Sequence, residues 1–119
     1  ALARSPLTGS QRAGVVHKAR AELVTPVGLR TLSPLDPAYR PRYEGGIEAR
    51  DAAYHQGTAW PWLAGFYVEA ALAAAPKKAR KQQAKALRAW LDGLLSDPNV
   101  IESVFVEVCG ADGVPPLSV

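Results

Sequence analysis

Residues 58–95, TAWPWLAGFYVEAALAAAPKKARKQQAKALRAWLDGLL, decide the fold class. In the first half Leu63, Phe66, Tyr67, Ala70, Ala71 and Ala74 recur at helical spacing, and the alanine run adds high helix propensity. This predicts a helix over 58–74. Thr58 is suited to cap it, and Pro61 falls in the first turn, where a missing N–H costs nothing. Pro76 breaks the pattern. Beyond it Leu87, Trp90, Leu91, Leu94 and Leu95 stand at i, i+3, i+4, i+7 and i+8, an amphipathic helix over 77–95. Two such helices in succession make the chain mainly α.

Upstream, residues 26–57 read as one long ordered loop. Pro26, Pro34, Pro37 and Pro41 punctuate it, and Gly28, Gly45, Gly46 and Gly57 permit unusual backbone angles. A loop of this length without secondary structure is uncommon and is often functional. It also holds Arg30, Arg40, Arg42, Tyr39, Tyr43 and Tyr54, which suit a binding loop. Further upstream, Val15, Val16, Ala19 and Leu23 predict a helix over 11–23 with Ser10 as N-cap, ending before Thr25 and Pro26. Downstream, Ser96 to Asn99 break the helix, and VIESVFVEV at 100–108 predicts a short strand. The expected architecture is therefore about three helices, one long loop and a short C-terminal strand or turn.

Bulk properties bound the function. The chain has 119 residues, one domain's worth, with 48% hydrophobic and 21% charged residues. No apolar run approaches the roughly 18 residues of a membrane span. The opening ALARSPLTGSQ has no apolar signal core, so the expected compartment is the cytoplasm. One cysteine, Cys109, excludes an internal disulfide framework and reads as an incidental or buried thiol. Net charge is +3, but KKARKQQAK at 77–85 carries five cations and no acid. That run is a candidate phosphate contact. Because Leu87, Trp90 and Leu91 claim the same helix for a core, the lysines read first as its solvated side, and nucleic acid is the weaker partner.

His17 and His55 lie far apart without partners at ligand spacing, so no metal site is expected. A P-loop, a dinucleotide glycine pattern and a GxSxG elbow are all lacking. What stands out is DAAYHQGTAWPW at 51–62, dense in polar and aromatic side chains, with Glu44, Glu48 and Asp51 close by and Glu102 and Glu107 further on. Aromatic faces stack on sugars, and Tyr, His and Gln hydrogen-bond hydroxyls. Two opposed carboxyls would complete a glycosidase site. Equally, Trp60 and Trp62 would be buried anchors of a helix start. Composition leaves pocket and anchor balanced.

The runs TPVGLRTLSP (25–34), PAYRPRYEGG (37–46) and DAAYHQGTAWPW (51–62) resemble, in order and spacing, the amylo-α-1,6-glucosidase catalytic domain of bacterial and archaeal glycogen debranching enzymes. The resemblance is strongest over 23–70, extends through 77–95 and fades after residue 99. It implies an (α/α)6 toroid with its site at one mouth, hydrolysis of α-1,6-linked glucose at a branch stub, and no metal or organic cofactor. It further implies that Tyr54, His55, Gln56, Gly57, Trp60 and Trp62 line a glucose pocket, with Arg30 and Tyr43 in the supporting loop. The family's general acid lies upstream of the matched region. Its general base is a glutamate in a segment that FVEVCGADGV matches only partly, which makes Glu107 the candidate and Glu102 the runner-up.

Twelve helices with their connections need roughly 200 residues. The expectation is thus a truncated toroid fragment, a single domain over 1–119, inactive as an isolated chain. An open slice of a toroid would expose apolar helix faces and form a homo-oligomer or pair with a complementary chain. Two other functions compete with this one: a non-catalytic carbohydrate-binding or structural module, and a basic nucleic-acid binder acting through residues 77–90.

Overall fold

The computed structural model describes residues 6–98 and 100. The chain is mainly helical with one small sheet. In order it forms α1 (Gly9–Glu22), β1 (Val24–Thr25), β2 (Gly28–Arg30), α2 (Ile47–Tyr54), β3 (Ala59–Trp60), a 3-10 turn (Pro61–Leu63), α3 (Ala64–Ala74) and α4 (Arg80–Ser96). The sheet order is β1-β2-β3 with antiparallel neighbours.

Helix α1 begins two residues before its expected start because Thr8, not Ser10, caps it. The Gln11 amide donates to Thr8 Oγ1 at 3.3 Å, and the Thr8 amide donates to Gln11 Oε1 at 2.8 Å. This reciprocal capping box satisfies two backbone donors that a lone Ser10 would not. The helix ends at Glu22, and Thr25 enters β1 instead of merely marking a helix stop. A tight turn at Pro26 and Val27 then pairs Thr25 with Gly28. Thr25 Oγ1 locks that turn, donating to the Gly28 carbonyl at 2.9 Å and accepting from the Val27 amide at 3.2 Å.

The expected loop over 26–57 is the main correction. It contains β2 and the whole of α2, so four α-helices stand among the described residues instead of three. Eight residues are too few for a persuasive period, and Gly46 caps α2 without a side-chain bond.

The expected helix over 58–74 is also shorter than its pattern. Residues 59–60 pair with β2, Leu29 opposite Trp60 and Arg30 opposite Ala59, and a 3-10 turn intervenes before α3. Pro61 does occupy the first position of that turn. Thr58 caps no N-terminus. Fully buried, its hydroxyl donates to the Ala53 and Tyr54 carbonyls at 3.2 and 2.9 Å, sealing the C-terminal end of α2. Residues 77–79 form a turn, and α4 starts at Arg80. The strand expected over 100–108 falls almost wholly outside the described residues.

The core is small. Leu29, Tyr67, Ala71 and Leu87 are its buried centre, flanked by Val16 and Ala19 of α1, Val68 and Leu72 of α3, and Trp90 of α4. Trp90 meets the Tyr67 ring edge to face at 5.7 Å, and its indole N–H donates to the Thr25 carbonyl at 2.8 Å. One side chain thus ties α4 to both α3 and the hairpin. Phe66 and Ala70, counted in the expected stripe, face solvent, because Ala64, Tyr67 and Ala71 set the buried side of α3.

Candidate functional site

The sheet and α2 converge on the aromatic segment. Tyr54 closes α2, His55 follows as its C-cap, and Trp60 is held by pairing with Leu29. The hairpin must approach Trp60 closely, and Gly28 permits it. At φ +133° a Cβ on Gly28 would lie 2.7 Å from the Trp60 backbone carbonyl. Gly57 plays the same part on the other side. Its φ is +144°, and a Cβ there would lie 2.6 Å from the Arg40 carbonyl and 2.7 Å from the Tyr39 ring. Both glycines fill positions that a side chain can neither fit nor easily adopt.

A chain of rings results. Tyr54 touches Tyr43 at 5.9 Å, His55 at 4.9 Å and Trp60 at 5.3 Å between centroids. His55 and Trp60 stand 5.0 Å apart, Trp60 and Trp62 5.7 Å, and Trp62 and Phe66 5.9 Å. These spacings lie within the range of favourable offset and edge-to-face pairs. Tyr43, Tyr54 and Trp60 are half-buried, whereas His55 and Trp62 are exposed. The Trp60 indole Nε1–H is buried and meets no acceptor among the described residues.

Gln56 and Gly57 sit differently from the rings. The Gln56 carbonyl accepts from the Arg40 amide, and Gln56 Oε1 accepts from Arg40 Nε at 3.3 Å. The Gly57 amide donates to Thr31 Oγ1 at 2.9 Å, and that hydroxyl donates onward to the Thr58 carbonyl at 3.2 Å. Arg30 Nε donates to the Tyr39 hydroxyl at 3.0 Å and Nη1 donates to the Glu22 carbonyl at 3.3 Å, so it braces the loop against the end of α1. The fold therefore brings Tyr43, Tyr54, His55, Trp60 and Trp62 together, with Gln56, Gly57 and Arg30 in the frame behind them. Glu102 and Glu107 lie outside the described residues.

Sequence reasoning missed Thr31 as part of this frame and Phe66 as a member of the ring chain, while Tyr39 and Arg40 stood only as members of the binding loop. Gly57 was the available signal, since a glycine between polar residues often marks a close backbone approach. Nothing local announced that the approaching groups come from 17–26 positions upstream.

Of the nearby carboxylates, Glu44 faces Arg42 at 3.8 Å, both about half exposed, while Glu48 and Asp51 are exposed on α2. Among the described residues no group of three or more His, Cys, Asp or Glu gathers as metal ligands. Nor is any helix among them long and apolar enough to cross a membrane. Lys77, Lys78, Arg80, Lys81 and Lys85 are all exposed, and Arg88 pairs with Asp92 at 3.7 Å one helical turn on.

Comparison with known proteins bears on the family. A family model described as amylo-α-1,6-glucosidase matches residues 1–109. Over 51 residues the chain is 47% identical to the glycogen debranching enzyme of Saccharomyces cerevisiae, a match covering 38% of this chain and 3% of that enzyme. With the family pattern running through nearly the whole sequence, the chain belongs to the amylo-α-1,6-glucosidase family.

Proposed function

We propose that this chain forms one wall of an α-glucan-binding site within a debranching-type α-1,6-glucosidase domain, and that it is inactive when isolated. The observation that carries this reading is the ring chain around Trp60. Tyr54, His55 and Trp60 pack ring against ring around a buried indole donor that meets no acceptor among the described residues. A pocket with apolar walls and few, well-placed polar groups is the arrangement that orients a sugar. Family membership favours glucose at a branch stub as the bound unit.

In this reading α1, α3 and α4 are part of an (α/α)6 toroid, and residues 1–119 act as one domain. Tyr54, His55, Trp60 and Trp62 contact sugar, with Gln56, Gly57, Tyr43 and Arg30 shaping the loop. Glu107, or Glu102 in its place, activates water, and the general acid comes from outside residues 1–119. An inverting reaction would set the two carboxyls ~6.5–9.5 Å apart, leaving room for that water. A second copy or a complementary chain supplies the opposite wall. Exposed Val15, Ile47 and Leu95 support such pairing, since burying them stabilises an assembly. The cytoplasm, where glucan stores would be met, is the proposed compartment.

Glucose release from a branched limit dextrin tests the inactivity directly, and appreciable turnover by the purified chain alone would refute it. Titration with isomaltose, followed by tryptophan fluorescence, tests the pocket. Trp60→Phe trims the central ring of the chain, so affinity should fall about fivefold to tenfold with the helical content unchanged. Equal affinity in the variant would remove Trp60 from the site.

A further inference from the structure

Six of the 14 lysines and arginines, and none of the 11 acids, fall within residues 77–88, so the rest of the chain has more acids than cations. The structure sets this charge at one end of α4 and on its outward side. Leu87 and Leu94 are buried, Gln83 and Trp90 partly so, and they turn one side of α4 toward the core. Lys81, Lys85 and Arg88 follow one another at i, i+4 and i+7 on the other side, over about 10 Å of helix axis. Lys77 and Lys78 extend the row into the preceding turn, and all five are exposed. None of the four lysines meets a carboxylate among the described residues, whereas Arg80 donates to the Ala75 carbonyl at 3.3 Å and Arg88 pairs with Asp92. A solvated face accounts for their exposure but not for their position. The first turn of α4 carries no acid and no side-chain cap, and the helix dipole disfavours cations there. The row therefore costs stability where it stands, the local conflict expected of a surface that serves binding.

We propose that this row is a docking surface for the phosphate backbone of duplex nucleic acid, independent of the glucan wall. Lysine ammonium groups act as point charges, which neutralise phosphates without reading bases. A protein partner fits less well. The centres of protein interfaces are poor in lysine and built on large anchors, and between these cations nothing apolar larger than alanine is exposed. A membrane surface takes the apolar face of a helix, and that face of α4 is already buried in the core. Single strands are held by aromatic stacking, which the row lacks. Its place in the fold also keeps it apart from the rings. Tyr67 packs on Trp90, and Ala71 shares the core with Leu87, so α3 and α4 run antiparallel. Lys77 to Lys85 therefore lie at the end of this helix pair away from Trp60 and Trp62. A neighbouring helix of a toroid would leave the row uncovered as well, because burying unpaired charges is costly.

The test titrates a short fluorescent DNA duplex of arbitrary sequence with the full chain at several salt concentrations, read by anisotropy. Wild-type affinity should fall about a hundredfold between about 50 and about 200 mM salt, as expected for about four neutralised phosphates. Lys81→Gln/Lys85→Gln should weaken binding at low salt by about tenfold or more and lower the salt slope by about two. Arg12→Gln/Arg20→Gln removes the same charge from α1 and should change affinity by no more than about twofold. Circular dichroism should give the same helix content for all three proteins. No binding at low salt, a flat salt dependence, or equal losses in the two double variants would overturn the proposal. Tighter binding of polyglutamate than of the duplex would overturn it in favour of an acidic protein, and tighter binding of phosphatidylglycerol vesicles in favour of a membrane surface.

Discussion

At the scale of single residues, Gly57 and Gly28 show how backbone freedom makes room for the aromatic segment. Alanine at Gly57 would have to hold φ +144° and still press a Cβ to within 2.6 Å of the Arg40 carbonyl. Strain of that type costs of order 1–3 kcal/mol before the clash is added. Gly57→Ala should therefore destabilise the fold by about 3 kcal/mol, seen as a lower urea midpoint. Gly93 is the control. It sits inside α4, and a Cβ there meets nothing within 4 Å. Gly93→Ala should raise stability by about 0.5–1 kcal/mol, because helix propensity improves and the unfolded chain loses freedom. Thr58 is a third case. Thr58→Val removes the donor shared by the Ala53 and Tyr54 carbonyls and should cost about 1–3 kcal/mol in the same denaturation experiment.

At the scale of elements, α1 is held from its ends more than from its middle. It has no buried residue, and Val16 and Ala19 only flank the core. Its capping box is therefore worth a large share of its hold. Thr8→Ala should cost about 1 kcal/mol and raise amide exchange in α1 before any other helix. At the other end Glu22 sits in the last turn, where the helix dipole disfavours an acid. Hydrogen bonds from Lys18 and then Ser33 hold its carboxyl below the usual carboxylate range. Since the folded value is the lower one, this contribution is present above the ordinary carboxylate pKa and fades as pH falls through the lowered one. Carboxyl-resolved NMR titration should show Glu22 protonating below the ordinary glutamate range as acid is added. Glu22→Gln should flatten the acid limb of stability, and an unchanged limb would dissociate Glu22 from it. The α2 helix teaches a different lesson. Its eight residues carry no strong period, and its C-terminal end is sealed by Thr58, which the sequence pattern alone had assigned to the next helix.

At the scale of the whole molecule, Trp90 links parts that the chain order keeps far apart. Its indole bonds Thr25 and packs on Tyr67, so a single residue couples the hairpin to α3 and α4. Trp90→Phe keeps much of the packing but leaves the Thr25 carbonyl short of its donor, and should cost about 1–2 kcal/mol. Trp90→Ala should cost about 3–5 kcal/mol, through the cavity it leaves. Both are measurable as shifts in one cooperative unfolding transition.

The sequence by itself determined that the chain is mainly helical, where α1 and α4 run to within a few residues, where α3 ends, and which family it joins. Those features are local: helical period, prolines at boundaries, and contiguous motifs read in order. Tertiary structure alone decided that residues 26–57 carry a strand and a helix, that Thr58 closes α2 instead of opening α3, and that Phe66 faces outward. The physical reason is common to all three. Two- or three-residue strands take their stability from partners outside their own segment, as Leu29 does from Trp60, 31 positions on. A hydroxyl binds whichever carbonyl the fold brings near, and a helix with apolar residues on most of its circumference buries the side that a neighbour covers. Composition leaves DAAYHQGTAWPW balanced between pocket and helix anchor, and it is the pairing of β2 with β3 and the close approaches at Gly28 and Gly57 that bring its rings into contact with one another.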